Sequence, residues 1–216
     1  SKAERMDDSV ALAEAPGYDE SDLLDIGEAL DYAAHWLRYS EGKTLVNDAL
    51  NVGCEDQARH EELVEFLSAR AERDVDRQLD ALDDHVEHER LASGAHLYRI
   101  DLDEYAHRFT YPAPGKTTGE LHDTRVTETG DPVSTIGYGP DFCVLRSDGV
   151  RLDIPNMVTE LNEELPEAGV SGGGHLVVGS IKFVKGRRSA VVAALVAKMA
   201  DAELAEALSS TAALDD

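Results

Sequence analysis

Ser171-Gly-Gly-Gly-His-Leu-Val-Val-Gly-Ser-Ile-Lys-Phe-Val-Lys-Gly-Arg-Arg188 joins three consecutive glycines to a basic strand, in a chain that is otherwise strongly acidic. Glycine has no Cβ, so three in a row leave main-chain N–H groups uncovered and admit φ > 0. An anion can come within hydrogen-bonding distance of such a main chain. His175 follows as a donor, and Lys182, Lys185, Arg187 and Arg188 come soon after. No Asp or Glu occurs between Gly169 and Ala200, although 44 of the 216 residues are acidic. A proportional share would be roughly six acids, so this segment is kept free of negative charge. The expectation is a phosphate-binding loop backed by a basic edge. The plainer reading is a flexible turn with a surface histidine, and the missing carboxylates weigh against it.

Around this stretch the apolar residues change period. Ser180-Ile-Lys-Phe-Val184 reads as a strand, and Ser189 to Leu208 carries Val192, Leu195, Val196 and Met199 at helical spacing. Pro155 suits the first turn of a helix reaching about Leu165. His96 to Leu102, Val133 to Ile136 and Phe142 to Arg146 read as strands, and Asp148-Gly149 as a turn. Between the first two of these strands lie a turn-rich loop, Tyr111-Pro-Ala-Pro-Gly115, and a short helix from Thr117 to Val126.

Before Ser93-Gly94 the pattern is helical throughout. Lys2 to Ala15 is a short amphipathic piece. Ser21 is placed to cap a helix reaching about Tyr39, with Leu23, Ile26, Leu30, Ala33 and Leu37 on one stripe. Thr44 to Val52 is a further short helix. From Glu55 to Ala92 there is no Gly or Pro, and Leu63, Leu67, Ala71, Val75, Leu79, Leu82 and Val86 recur at steps of three and four. Such a helix would reach roughly 55 Å, a length suited to joining domains or forming a dimer seam. The expected fold is α/β (α+β overall): a helical connecting region over 1–93, then a small mixed-sheet domain over 94–216.

Composition narrows the setting. No apolar run is long enough to cross a membrane. Cys54 and Cys143 have no C-x-x-C spacing, and the polar start Ser1-Lys-Ala-Glu-Arg-Met has no apolar h-region, so a reducing cytoplasm is expected. The start also lacks an initiator Met, which suggests a piece of a longer protein. A net charge of −24 repels nucleic-acid phosphate, so any polyanion must be met locally. Lys supplies only 6 of the 20 basic residues. Molar salt shortens the Debye length to ~3 Å, so a salt-loving organism is expected, with most acidic runs serving as solvated surface.

Other motifs are weaker. Gly115-Lys116-Thr117 resembles the end of a Walker A motif, but Thr110 stands where its first glycine belongs. Lys116 stays a candidate phosphate contact, and equally a solvated loop lysine. Gly137-Tyr-Gly139 has Phe142 where a dinucleotide fingerprint needs its third glycine. On one long helix Asp84, His85 and His88 would share a face and could meet a cation, although their spacing matches no zinc-helix motif. A solvated polar face is the favoured reading there. His122-Asp123, beside Thr117 and Thr118, forms a minor polar cluster. Both cysteines read as buried small hydrophobes.

With these placed, Ser171 to Phe183 resembles the G-G-G-H…G signature of the DHH-associated domain, the C-terminal half of DHH phosphoesterases. Tyr111-Pro-Ala-Pro-Gly-Lys-Thr-Thr-Gly119, His122-Asp123 and Thr135-Ile-Gly-Tyr-Gly-Pro-Asp-Phe142 resemble the archaeal RecJ-like members. The resemblance covers about 94 to 210, and the helical half looks like that family's connecting segment. It implies that Gly172, Gly173, Gly174 and His175 bind a phosphate; Lys182, Lys185, Arg187 and Arg188 are then expected, from their place on the basic edge, to track the strand. In the family an N-terminal domain carries Asp and His ligands for two divalent metals, manganese or magnesium. The Asp-His-His motif is absent here, since Asp84-His85 is followed by Val86. No metal or other cofactor is therefore expected in this chain, which should bind substrate rather than cut it. The implied partners are single-stranded DNA, RNA or a nucleotide, together with the missing catalytic domain. The rival reading is a non-catalytic assembly module of a replication or repair complex. The long helix would then serve as its docking or homodimer seam.

Overall fold

The computed structural model describes residues 19–36, 40–49, 57–107, 110–202 and 204. Leu37, Tyr39, Cys54, the piece from Lys2 to Ala15 and the expected helix end at Leu208 lie outside these residues. The described residues divide into two compact units. One runs up to Arg77 and includes 110–113; the other takes 78–107 and everything from Pro114 on.

The first unit is helical. Helix α1 spans Glu20–His35, α2 Ser40–Ala49, and α3 Gln57–Asp83, of which the residues from Gln78 on belong to the second unit. The cap of α1 is Asp19, two residues before the expected Ser21. Asp19 and Asp22 each accept from the other's backbone N–H, at 3.1 and 2.8 Å, and this satisfies two orphan donors of the first turn. Ser21 donates its hydroxyl to Asp19 instead. Ile26, Ala29, Tyr32 and Ala33 are buried on α1, and Val64, Leu67, Ala71 and Val75 on α3. The imidazole of buried His60 hydrogen-bonds the Ala49 carbonyl at 3.0 Å, tying α3 to the end of α2. Tyr111 stands edge-on to Tyr32 with ring centroids 5.0 Å apart and donates its hydroxyl to Asp31.

Helix α3 has 27 residues, about 40 Å, and stops at Asp83 rather than near Ala92. Glu87–Arg90 is strand β1, paired antiparallel with β2, His96–Asp101. The turn between them contains Gly94 at φ +92°, and Leu91 donates to the Ala95 carbonyl at 2.9 Å. The expected domain boundary at Gly94 therefore falls within a hairpin. Glu-His-Glu-Arg has no apolar pattern to mark it as a strand; pairing with β2 decides its conformation.

The second unit continues with α4 (Pro114–Thr129), β3 (Val133–Tyr138), β4 (Phe142–Asp148), α5 (Ile154–Glu164), β5 (Ser171–Gly174), β6 (Val178–Lys182) and α6 (Arg188–Ala200). Its sheet has the order β1-β2-β3-β4-β6-β5, and only β2 and β3 run parallel. Parallel neighbours need a crossover, which α4 provides. The described residues thus hold six helices and a six-stranded mixed sheet, the expected α/β class. One sheet face supplies Leu97, Ile136, Cys143, Leu145 and Ile181 to the main core, with Ile154 and Leu161 of α5 and Val191, Leu195 and Met199 of α6. Gly137 on the other face lies so close under Thr118 of α4 that a Cβ would collide with its hydroxyl. Gly139 is likewise overlain by the Phe142 ring. Close packing therefore accounts for Gly137-Tyr-Gly139.

Candidate functional site

Ser171 to Gly174 forms an edge strand, β5, where the sequence suggested a loop. Gly172, Gly173 and Gly174 oppose Ile181, Ser180 and Gly179 of β6, and all three glycines are exposed. Gly172 has φ +152°, and a Cβ there would run into the Ser180 carbonyl; one on Gly174 would meet the Val178 carbonyl. Gly173 has open space on its outer side. Two of the glycines are thus required by the close approach of β6, which the sequence alone did not show.

The His175 N–H donates to the Val178 carbonyl at 2.7 Å. Hydrogen-bonded and non-bonded pairs alternate in an antiparallel ladder, so Gly173 bonds next and the amides of Gly172 and Gly174 turn to the free edge. Bare donors on an open edge can receive an anion.

Opposed residues share a sheet face, and positions two apart return to it. Gly173 opposes Ser180, Lys182 opposes Phe142, Val178 opposes Arg146, and Arg146 opposes Thr135. Gly173, Ser180, Lys182, Arg146 and Thr135 therefore look out from one face, the one on which α4 packs. Ser171, Gly173, Ser180 and Lys182 are exposed there. Lys185 is also exposed, in the turn after β6.

The remaining basic candidates are engaged. Arg187 pairs with Glu167 at 3.3 Å and Lys116 with Glu120 at 3.6 Å. Arg188 reaches Asp101 at 2.8 Å and lies over the Tyr138 ring, 5.8 Å from its centroid. Asp101 and Tyr138 belong to the opposite sheet face, so Arg188 stands apart from Lys182. Arg146, which the sequence reading passed over, sits on the glycine face half-buried beside α4.

The minor polar clusters have structural roles. His122 is buried, with Nδ1 3.0 Å from the Thr135 hydroxyl, and burial lowers its pKa first of all. Asp84, His85 and His88 do not share a helix face, because α3 ends before them. His85 stacks on Tyr105 with ring centroids 3.9 Å apart. His88 on β1 is hydrogen-bonded to His96 at 2.9 Å. Among the described residues no group of three or more His, Cys, Asp or Glu side chains is placed to hold a metal ion. Burial pushes the Cys143 thiol up to about 12. A cavity of about 440 Å³ in the helical unit is lined by Asp22, Asp25, Glu61 and Glu65 and would repel an anion. No described helix is long and apolar enough to cross a membrane.

No family model matches the chain. An uncharacterized protein of Methanocaldococcus jannaschii is 42% identical over 182 residues, which cover 81% of this chain and 24% of that protein. Among solved structures, one described as the DHH domain of a member of the s1p family of ribosomal proteins has a TM-score of 0.80 at 33% identity. That match covers 90% of this chain and 45% of that one. Exonuclease RecJ bound to manganese has a TM-score of 0.51 at 18% identity. RecJ from Thermus thermophilus in complex with manganese has the same score at 20% identity. The RecJ likeness is one of fold. The chain thus spans less than half the length of each of these relatives.

Proposed function

We propose that this chain is the substrate-gripping part of a DHH phosphoesterase of the RecJ-like kind, and that it holds single-stranded nucleic acid or a nucleotide by its phosphate. One observation carries the reading. From the strand register, the amides of Gly172 and Gly174 should face an open sheet edge, next to exposed His175, Lys182 and Lys185, in a stretch without a single acid. The kinship with a DHH domain at 33% identity supports the same reading. On this view Lys182 and Lys185 supply the mobile charge, while Arg187, Arg188 and Lys116 serve chiefly to hold the scaffold. The described residues do not fit the metal pair implied by the manganese-bound relatives. Hydrolysis is therefore assigned to a part of the full-length relatives outside the matched segment. An archaeal, salt-adapted cytoplasm belongs to the same proposal, and the substrate domain is taken to include the whole hairpin that contains Gly94.

The test is fluorescence anisotropy of a labelled short single strand, with KCl raised stepwise and folding followed by circular dichroism. Binding should weaken linearly in log–log form, with a slope of about −0.7 per phosphate neutralised. Gly173→Asp should abolish it without lowering the melting temperature, since a side chain at Gly173 meets open space. Absence of binding at the lowest salt that keeps the chain folded would reject the reading.

The rival, an assembly module, has one observation in its favour: Phe66 on α3 is 58% exposed and Leu24 on α1 is 59% exposed. A stable dimer that Phe66→Ser dissociates, with no affinity for oligonucleotide, would support the rival instead.

A further inference from the structure

We propose that Arg146 is a second phosphate contact on the glycine-bearing face, so that this face takes a single strand with at least two phosphates rather than a lone nucleotide. The inference rests on the glycine-edge reading above.

Arg146 combines partial burial with the lack of an ion pair, whereas Arg151, the other arginine of this unit without one among the described residues, is exposed. Arg90, Arg99, Arg125, Arg187 and Arg188 of the same unit all form ion pairs with carboxylates. Arg146 forms none among the described residues, although 44 of the protein's 216 residues are acidic. Asp148, two residues along on the same face, is exposed and makes no ion pair with it. The Arg146 Nε is buried without a hydrogen-bond partner, and Nη2 has only a 3.5 Å contact with the Gly115 carbonyl. A half-buried guanidinium in this state has lost hydration without gaining an opposite charge, which is unfavourable until an anion arrives. Gly119 of α4 lies beside it, and a Cβ there would make ordinary contact with Nη2 at 3.4 Å.

Position decides which anion. Arg146 opposes Val178, and Gly173 opposes Ser180 on the same β6 strand. Two strand spacings and a two-residue rise separate the backbones of Arg146 and Gly173 by about 12 Å. The guanidinium also turns toward Gly115 and Gly119 of α4, away from β5. One phosphate cannot rest on both the glycine amides and this fork, but two phosphates of one strand can. The planar fork suits the paired oxygens of a phosphodiester. Between the two sites Val178 is half-buried and Ser180 is exposed, which gives a floor without acids.

The experiment compares wild type with Arg146→Gln, Arg146→Lys and Gly173→Asp in the full chain. The probes are a labelled oligothymidylate and thymidine monophosphate. Arg146→Gln should weaken the oligonucleotide on the order of tenfold and flatten its salt slope by about 0.7, with a much smaller effect on the mononucleotide. Arg146→Lys should keep the slope and lose part of the affinity, and it carries the test if the Gln variant unfolds. If Gly173→Asp abolishes binding while both Arg146 variants match wild type in affinity and slope, the Arg146 inference fails and the glycine reading survives. Equal losses for both probes, with a lower melting temperature, would make Arg146 a structural residue and overturn the proposal. If wild type binds neither probe, both readings fall together.

Discussion

Arg188 Nη1 lies 2.8 Å from Asp101 Oδ2, while the other oxygen of Asp101 accepts the backbone N–H groups of Asp103 and Glu104 at 2.9 and 3.1 Å. The Asp101 side chain is nearly buried, and these three donors replace the hydrogen bonds it would make to water. Arg188→Ala should therefore destabilise the sheet-containing unit by about 2–3 kcal/mol, read from urea unfolding. Its effect on oligonucleotide affinity should be smaller than that of Lys182→Ala. A variant of wild-type stability that no longer binds would reverse this assignment.

The three glycines should respond unequally. Gly172→Ala and Gly174→Ala force a methyl against the carbonyls of Ser180 and Val178, and should each cost about 1–3 kcal/mol. Gly173→Ala meets open space and should stay within about 0.5 kcal/mol of wild type. Thermal melts of the three single variants settle the order. Equal losses at all three positions would contradict the edge-strand geometry.

Burial holds the His122 pKa below its ordinary 6.5. The unfolded chain therefore takes up a proton on this residue at a higher pH than the folded chain does. The contribution of neutral His122 is fully present above about pH 6.5 and is lost as pH falls toward the folded value. Wild type should lose stability across that window, and His122→Gln should lose less. Parallel pH profiles for the two proteins would show that His122 is not the group responsible.

Cys143, with its thiol pushed up to about 12, should be almost inert to alkylation in the native state at mildly alkaline pH. In a Cys54→Ser background, iodoacetamide labelling should appear only on unfolding, at a rate that follows denaturant. Rapid labelling of the folded protein would show that the core around Cys143, Leu145 and Ile181 opens locally.

Much of the fold was legible from local periodicity. Val192, Leu195 and Met199 recur at helical spacing and are buried on α6. Val133 to Ile136 and Phe142 to Arg146 are strands, each extending two residues further than expected. The misses share one cause. Glu87–Arg90 and Ser171–Gly174 have no apolar alternation of their own, so only their pairing with His96–Asp101 and Val178–Lys182 makes them strands. The shared helix face expected for Asp84, His85 and His88 is absent for the same reason, since the helix ends at Asp83 and β1 follows.

The sequence by itself determined the α/β class, the places of most helices and strands, and the acid-free stretch between Gly169 and Ala200, because spacing and composition are properties of neighbouring residues. Only the tertiary structure decided which cations are free. Lys182 on an exposed face and Arg188 against Asp101 are near neighbours in sequence and stand on opposite faces of the sheet. Half-buried Arg146 makes no ion pair among the described residues. Whether a charge is neutralised depends on residues that meet through strand pairing and helix packing, at sequence separations that no local pattern records.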